Sequence, residues 1–569
     1  MIRKPRVHVV ILLAVTSIAV ALLFPWTRAL LGQSLALARM PREKHVAVLP
    51  FANTSGNPSD QAFCDGLLDV VTSGLTRLSE TREGLWVVPV SDIREQRIAT
   101  AGEAGRAVGA NLAFSGGVER RGDRVLLSLD LIDARTERTL HSGQIDDAMS
   151  DLAIFQDGVV VTFARMLGVR PEPHELDPLA AADTDSPAAY EAYLRARGHL
   201  QRFVREESVD AAIGLLERAL ESDPDYPSAH AAMGEACWRK CEVTWDTVWV
   251  RRATASCERA LELDGELEEA RVTLGLINVG RGRFEDAVEQ FELALAGDPA
   301  SSDAHRELAR ALVGMGDTER AAATYRRAID LNRSYWAGYN YLGVFYYRQG
   351  RIEEAATQFL HVIRLAPDNV IARANLGGLY YFMGRMDEAC EALERSITIK
   401  PNHRAYNNLA TIHYQEGQYE DAADMYEKAL MHDDRDYRVW GNLASSYRQL
   451  DRQELADARY RKAIEKAERL LTVNPRDPAL LTNLAGYYVT QAEYSRVVEL
   501  LDRALAIAPS DTRVILDAVH IFEITGERER ALDVAARAIE QGLRDRIEAV
   551  DDLNELILDG RYQRMIAES

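Results

Sequence analysis

Four asparagines, Asn375, Asn408, Asn442 and Asn483, each stand directly before a Leu-Gly or Leu-Ala pair. A carboxamide both donates and accepts hydrogen bonds, so such a set suits the backbone of another chain whatever its side chains. The same stretch supplies aromatic surface at Tyr347, Tyr381, Phe382 and Tyr414, and cations at Arg404, Arg438 and Arg448. This is the chemistry of peptide recognition. Catalytic chemistry finds far less support. No G-x-x-x-x-G-K-[ST], H-E-x-x-H, G-x-S-x-G, EF-hand loop or kinase signature occurs. Ser115-Gly116-Gly117 reads as a strand-end turn or bulge rather than a nucleophile or phosphate loop. The 12 histidines are scattered without ligand spacing. Five cysteines, Cys64, Cys237, Cys241, Cys257 and Cys390, form neither a C-x-x-C pair nor a zinc tetrad. No cofactor or metal is therefore expected. An envelope enzyme with a divergent active site would need paired buried carboxylates across a cleft.

The elements that carry these residues repeat. Leu274-Gly275, Leu308-Ala309, Leu342-Gly343, Leu376-Gly377, Leu409-Ala410, Leu443-Ala444 and Leu484-Ala485 recur about every 34 residues. One unit, from Trp336 to Asn369, reads Tyr339, Leu342-Gly343, Tyr346, Gly350, Ala355, Phe359, Pro367. The small residue after Leu admits a neighbouring helix, the aromatics fill the space between helices, and Pro stops the second helix. This order resembles the tetratricopeptide repeat, W-x2-L-G-x2-Y…A-x3-F…P. The resemblance implies a right-handed α-solenoid of about ten helical hairpins over residues 187–549, closed by a polar cap at 550–569. Two units depart from the pattern. The second carries an insertion rich in Trp (Trp238, Trp245, Trp249), and the unit at Tyr437 has an unusually long second helix.

In such a hairpin the first helix lines the concave surface, which places the four asparagines in one row along the groove. The arrangement is similar to the asparagine ladder of the O-GlcNAc transferase superhelix, though Asn at this phase also serves packing in such repeats. The Lys/Asn carboxylate clamp of chaperone-binding repeats is not matched. Within the second repeat, Cys237 and Cys257 take positions that other units fill with large rings (Tyr346 and Phe359, for instance) on facing helices. They form a candidate disulfide, with Cys241 the alternative partner and small buried thiols the other reading.

Ahead of the repeats, residues 46–169 change period. Val46 to Pro50 and Leu85 to Val90 read as buried strands, and Asp60 to Leu78 as an amphipathic helix. Three runs follow as antiparallel strands, Leu112 to Glu119, Val125 to Ile132 and Thr139 to Ile145, before a helix from Asp147 to Leu167. Val46-Ala47-Val48-Leu49-Pro50-Phe51, Gly109 to Val118 and Leu129-Asp130-Leu131-Ile132-Asp133-Ala134 resemble the TolB-type N-terminal domain, which implies a small α/β fold. Residues 170–186, rich in proline and acid, read as a linker.

Residues 1–45 are different again. Arg3, Lys4 and Arg6 precede an apolar run over 7–26, long enough to cross a bilayer as a helix. The expectation is an uncleaved single-pass inner-membrane anchor, with a basic cytoplasmic tip and the body on the periplasmic side. A cytoplasm-facing body is the alternative, because Arg28, Arg39, Arg42 and Lys44 weaken the charge asymmetry. This head holds seven Lys/Arg against one Glu, a charge of +6, so the total of −21 leaves −27 on the remainder. A body that acidic repels phosphate backbones, and nucleic acid is not an expected partner. The reading is a multidomain, non-enzymatic scaffold that binds protein or peptide partners in its groove. Its rival is a cytoplasm-facing regulatory array related to kinase- or cyclase-linked proteins.

Overall fold

The computed structural model describes residues 40–568, apart from 81, 83, 123, 149–151, 170–182 and 202–204. Its first part is a sheet of β1 (Lys44–Val48), β2 (Ala52–Asn53), β3 (Leu85–Val87), β4 (Leu112–Arg121), β5 (Arg124–Asp133) and β6 (Arg138–Ala148). The order is β3-β1-β4-β5-β6, with β2 beside β4. Strand β1 runs parallel to β3 and β4, whereas β4, β5 and β6 are antiparallel. Parallel neighbours need crossovers. Helix α1 (Gln61–Glu80) supplies one, and α2 (Val90–Glu95) with α3 (Ala101–Val108) supplies the other; α4 (Leu152–Met166) packs back on β6.

The continuous apolar run at the chain's first strand has a direct cause. Successive strand residues face opposite ways, and both faces of β1 are covered. Val46 and Val48 pack with Phe63 and Leu67 of α1. Ala47 and Leu49 pack with Ile93, Ala104 and Val108 of α2 and α3. The third strand is shorter than its sequence suggests, because Pro89 lacks an N–H and Val90 already opens α2.

Ten hairpins follow among the described residues. The first four pair α5 (Pro187–Leu200) with α6 (Glu206–Ser222), α7 (Pro227–Thr244) with α8 (Val248–Leu263), α9 (Glu268–Gly280) with α10 (Phe284–Gly297), and α11 (Ser302–Met315) with α12 (Thr318–Leu331). Hairpins five to seven are α13 (Trp336–Arg348) with α14 (Ile352–Leu365), α15 (Val370–Phe382) with α16 (Met386–Ile399), and α17 (His403–Gln415) with α18 (Tyr419–His432). The last three are α19 (Tyr437–Gln449) with α20 (Gln453–Val473), α21 (Pro478–Thr490) with α22 (Tyr494–Ile507), and α23 (Thr512–Ile524) with α24 (Arg528–Glu540).

Local chemistry sets these boundaries. The side chains of Ser186, Ser301, Asn369, Asn402 and Asp477 cap first helices by accepting a backbone N–H. Pro299, Pro367, Pro401, Pro475 and Pro509 follow the ends of second helices. A Cβ on Gly275 or Gly343 would sit 2.6 Å and 2.8 Å from the rings of Phe291 and Phe359, so each glycine is the notch that receives its hairpin's aromatic. Short helices α25 (Arg544–Glu548), α26 (Asn554–Ile557) and α27 (Gly560–Glu568) bury Ile547, Leu556 and Tyr562 against the last hairpin.

Two irregularities of the array meet in space. Helix α20 has 21 residues where α18 has 14. Its end, Val473, joins a cluster with Trp238 and Ile277 of hairpins two and three. Thr472 Oγ1 donates to the carbonyl of Trp245 at 3.4 Å. The superhelix thus touches itself after one turn.

Two expectations are corrected here. The single-pass inner-membrane placement is not carried: among the described residues no helix is long and apolar enough to cross a membrane. The apolar run at 7–26, on which that placement stood, lies outside the described residues. The bridge between Cys237 and Cys257 is not formed either, and all five cysteines are free thiols. Cys237 and Cys257 are fully buried on facing helices, and Cys257 Sγ fills the notch above Gly234. Burial pushes the Cys237 thiol up to about 11 and that of Cys257 higher still, which leaves little thiolate to oxidise.

Candidate peptide-binding groove

The inner wall of the array is identified by packing. Successive first helices rest on one another, as α15 does on α17 and α21 on α23, while successive second helices make far less contact. A curved stack has its shorter circumference inside, so the layer in mutual contact is the concave one. The groove is lined by α7, α9, α11, α13, α15, α17, α19, α21 and α23.

All four asparagines lie on this layer, half-buried, and each bonds within the array. Asn375 Nδ2 donates to Asn340 Oδ1 at 2.9 Å, and Asn408 Nδ2 to the Ala374 carbonyl at 3.1 Å. Asn483 Nδ2 donates to the Tyr437 hydroxyl at 3.0 Å, and its Oδ1 accepts from Arg513 at 3.3 Å. Asn442 bonds the Tyr426 hydroxyl. Four of these bonds tie one first helix to the preceding one. The row exists, and part of its donor capacity is committed to stacking.

The aromatic residues form a cluster and an outlier. Tyr347 and Phe382 stand with ring centroids 5.4 Å apart, and Tyr381 lies 5.3 Å from Phe382. Phe382 keeps 62% of its surface exposed and Tyr347 37%. Tyr414 instead packs against Tyr419 at 5.3 Å.

The cations divide similarly. Arg438 grips Asp436 with two bonds, at 2.7 and 2.9 Å. Arg448 lies over the Tyr460 ring, 5.8 Å from its centroid. Arg404 is exposed yet walled in. Burial lowers its pKa, Glu95 of α2 opposes the shift, and Arg438 adds to it.

Glu95 marks where the α/β domain meets the groove's edge. Asp92 Oδ2 accepts from the Tyr335 hydroxyl at 2.8 Å and from Trp336 Nε1 at 3.0 Å, and the carboxyl is buried. Around it Ile93, Ile98 and Ala104 share one core with Trp336, Val362 and Ala366. Asn369 Nδ2 donates to the Ala107 carbonyl at 3.3 Å, and Arg106 Nε to Asp368 at 3.0 Å. Burial pushes Asp92 up to about 7 against the pull of the Tyr335 bond and of Arg306. At the same seam burial and Arg97 bring Lys400 down to about 8.

Several groove residues escape sequence reasoning. Asn340 precedes its Leu by two positions instead of one, which hides it from the asparagine phase. Arg306 covers the Tyr341 ring at 4.9 Å and pairs with Asp303. Arg513 belongs to the tenth hairpin yet lies close enough to Tyr347 of the fifth to oppose the effect of burial on its hydroxyl. Asp92 reads in sequence as an ordinary acid in a helix's first turn.

Paired helices, a glycine or alanine notch in each first helix and a continuous inner wall define a tetratricopeptide-repeat solenoid, a fold that serves as a scaffold for protein interaction. The family models agree. A family model for the tetratricopeptide repeat matches residues 278–342, and that of the cilia and flagella-associated protein 70 C-terminal domain matches residues 330–553. Both lie within residues 187–569 and neither reaches the sheet, so the TolB-type resemblance gains no support from them. The Rhizobium meliloti (strain 1021) protein named "Putative adenylate cyclase 3" is 26% identical over 258 residues, 44% of this chain and 42% of that protein. The chain thus spans less than half the length of that curated relative. A tetratricopeptide repeat protein from Parabacteroides merdae ATCC 43184 is 17% identical, with a TM-score of 0.37 over 45% of this chain and 99% of its own. A thermophilic tetratricopeptide protein of Thermus thermophilus is 25% identical, with a TM-score of 0.29 over 32% of this chain and 98% of its own.

Proposed function

We propose that the chain is a non-enzymatic scaffold that holds protein or peptide partners along the inner wall of its repeat array. In this reading residues 187–549 are the binding array, 550–569 its cap, 170–186 a linker and 46–169 an α/β domain that braces the array from one edge. The supporting observation is the exposed aromatic pair Tyr347 and Phe382, set on the inner layer beside the asparagine row. Exposed rings in a recess offer apolar area at small entropic cost, and amides beside them hold a backbone. Asn375, Asn408, Asn442, Asn483, Tyr347, Tyr381, Tyr414, Arg404, Arg438 and Arg448 are the residues assigned to the site.

Site-specific photocrosslinking in cells tests this. A photoreactive phenylalanine analogue at Phe382 is expected to capture discrete partners, whereas the same group at Met431, 85% exposed, captures none. Equal adducts from both positions would remove the groove from the proposal.

A second reading, a regulatory array of the kind linked to cyclases, is favoured by the match to the Rhizobium meliloti protein. A change in the activity of a separate adenylate cyclase on addition of the purified chain would favour that reading over a pure scaffold.

A further inference from the structure

The inner layer of hairpins five to nine has a charge pattern that packing does not require. Helices α13, α15, α17, α19 and α21 contain no Asp or Glu at all. Their charged side chains are Arg348, Arg373, Arg404, Arg438 and Arg448, with His403 and His413. Each partner helix of the outer layer carries acids, among them Glu353 in α14, Asp387 in α16, Asp421 in α18, Glu454 in α20 and Glu499 in α22. The whole chain holds 88 acidic residues against 67 basic ones, so a neutral inner wall would already depart from its composition. This one is positive. The first helices of hairpins two, three, four and ten do carry acids, such as Glu235, Glu269, Asp303 and Asp517. The segregation therefore belongs to one stretch of the groove and not to first helices in general.

Pairing sharpens the contrast. Outer arginines are neutralised locally: Arg351 by Glu354, Arg385 by Glu388 and Arg452 by Glu420. Among the described ion pairs none includes Arg348, Arg404 or Arg448, whereas Arg438 has Asp436. Arg373 is spent on the Pro367 carbonyl. Arg404 and Arg438 stand close enough to repel each other in a walled recess. Arg438 is balanced by Asp436 and Arg404 faces Glu95 without a direct ion pair, while Arg348 and Arg448 have no carboxylate partner among the described ion pairs. Cations left without a close counter-charge along a recess attract an anion. Arg404 and Arg438 sit in the first turn of their helices, while Tyr347, Arg348, Tyr381, Phe382 and Arg448 sit in the last. At 1.5 Å per residue these two rows run about 15 Å apart, with the asparagines between them.

We propose that this stretch of groove takes an acidic, extended segment of a partner protein: carboxylates along the arginine rows, backbone against the asparagines, and one large apolar side chain on Tyr347 and Phe382. The proposal rests on the groove being the binding site and adds the partner's chemistry. A polypeptide fits better than a nucleic acid because it presents charge only where the groove does, while a long phosphate backbone would meet the acidic outer layer as well.

The test pans the full chain against a displayed library of random ~12-residue peptides, which reach about 40 Å when extended. Binders are scored on the wild type and on three variants. One is the double reversal Arg404→Glu with Arg448→Glu, one is Phe382→Ala, and one is the outer-face reversal Arg351→Glu. The expected result is enrichment of Asp and Glu around an aromatic or aliphatic residue. Affinity should fall about tenfold or more in the double reversal, fall with added salt, and stay unchanged in Arg351→Glu. Binders that depend on Phe382 but show no acidic bias would overturn the acidic partner and leave the groove reading standing. Binders indifferent to Phe382 and to the double reversal would overturn both. A single-stranded RNA oligonucleotide of similar length is run alongside. If it binds in an Arg404- and Arg448-dependent way and acidic peptides do not, the site is a nucleic-acid site and the proposal fails.

Discussion

Gly66 of α1 and Gly198 of α5 lie against each other's helix where the α/β domain crosses the first hairpin. A Cβ on Gly66 would overlap the carbonyl oxygen of Leu194, and one on Gly198 would overlap that of Ala62. The obstruction is backbone in both directions, so neither can yield by turning a side chain. Around this crossing Arg197 pairs with Asp69 at 2.6 Å and Arg195 with Asp60 at 3.1 Å. Tyr190 and Leu194 are buried in the same core as Phe63 and Leu67.

Substituting Gly198→Ala separates two effects by sign. In an open helix the change stabilises by up to about 1 kcal/mol. At this crossing it is expected to destabilise by about 1–3 kcal/mol, because the two helices must move apart. Chemical denaturation measures it, with far-UV dichroism to show that both helices persist. A gain in stability would mean that the helices do not approach this closely in solution.

The Asp92 seam is expected to weaken as pH rises. The carboxyl has a pKa of about 7 when docked and ~3.9 when released. The docked state therefore holds the extra proton between these values, and stability falls with rising pH across that window. It is flat below about 4 and again above about 7. Arg306, Asp303, Glu95 and the Tyr335 hydroxyl face the same group. Replacement by Asn keeps an acceptor for Tyr335 and Trp336 and removes the charge. Asp92→Asn should melt higher than wild type at pH 8, by less at pH 5, and nearly equal to it at pH 4. An undiminished loss between pH 5 and pH 8 in the variant would assign the dependence to another group.

The turn inside several hairpins needs a left-handed residue, supplied by Gly350, Gly384 and Gly417 with φ of 72°, 71° and 77°. In the ninth hairpin that place belongs to Ala492, at φ 57°. A side chain there is strained by roughly 1 kcal/mol. Ala492→Gly should raise stability by about that amount in a denaturant midpoint series. A loss would mean that Ala492's methyl makes contacts worth more than the strain.

What was legible in the sequence was whatever repeats locally. Leu342-Gly343 and Phe359 announce a helical pair because notch and ring belong to the same hairpin. The unbroken run of Val46 to Leu49 announces a strand covered on both faces for a similarly local reason. The asparagine phase located Asn375, Asn408, Asn442 and Asn483 on the inner wall, but their hydrogen-bond partners are set by how one hairpin sits on the last, which the phase alone does not encode. The seam was hidden more deeply. Asp92 meets Tyr335 across a separation of 243 residues, and nothing in either local pattern marks them as partners. The Trp-rich insertion and the long α20 were both visible as departures from the repeat. That Val473 meets Trp238 follows only from the pitch of the superhelix.

That meeting turns part of the array into a hoop. Repeat proteins ordinarily gain or lose whole units, because each unit answers only to its neighbours. With Val473 and Thr472 seated on Trp238 and Trp245, the hairpins between are a circumference of fixed length. One unit more or fewer would carry the end of α20 a full step past its seat. Duplication and deletion, the usual routes by which such arrays change size, are thereby closed to hairpins three to seven.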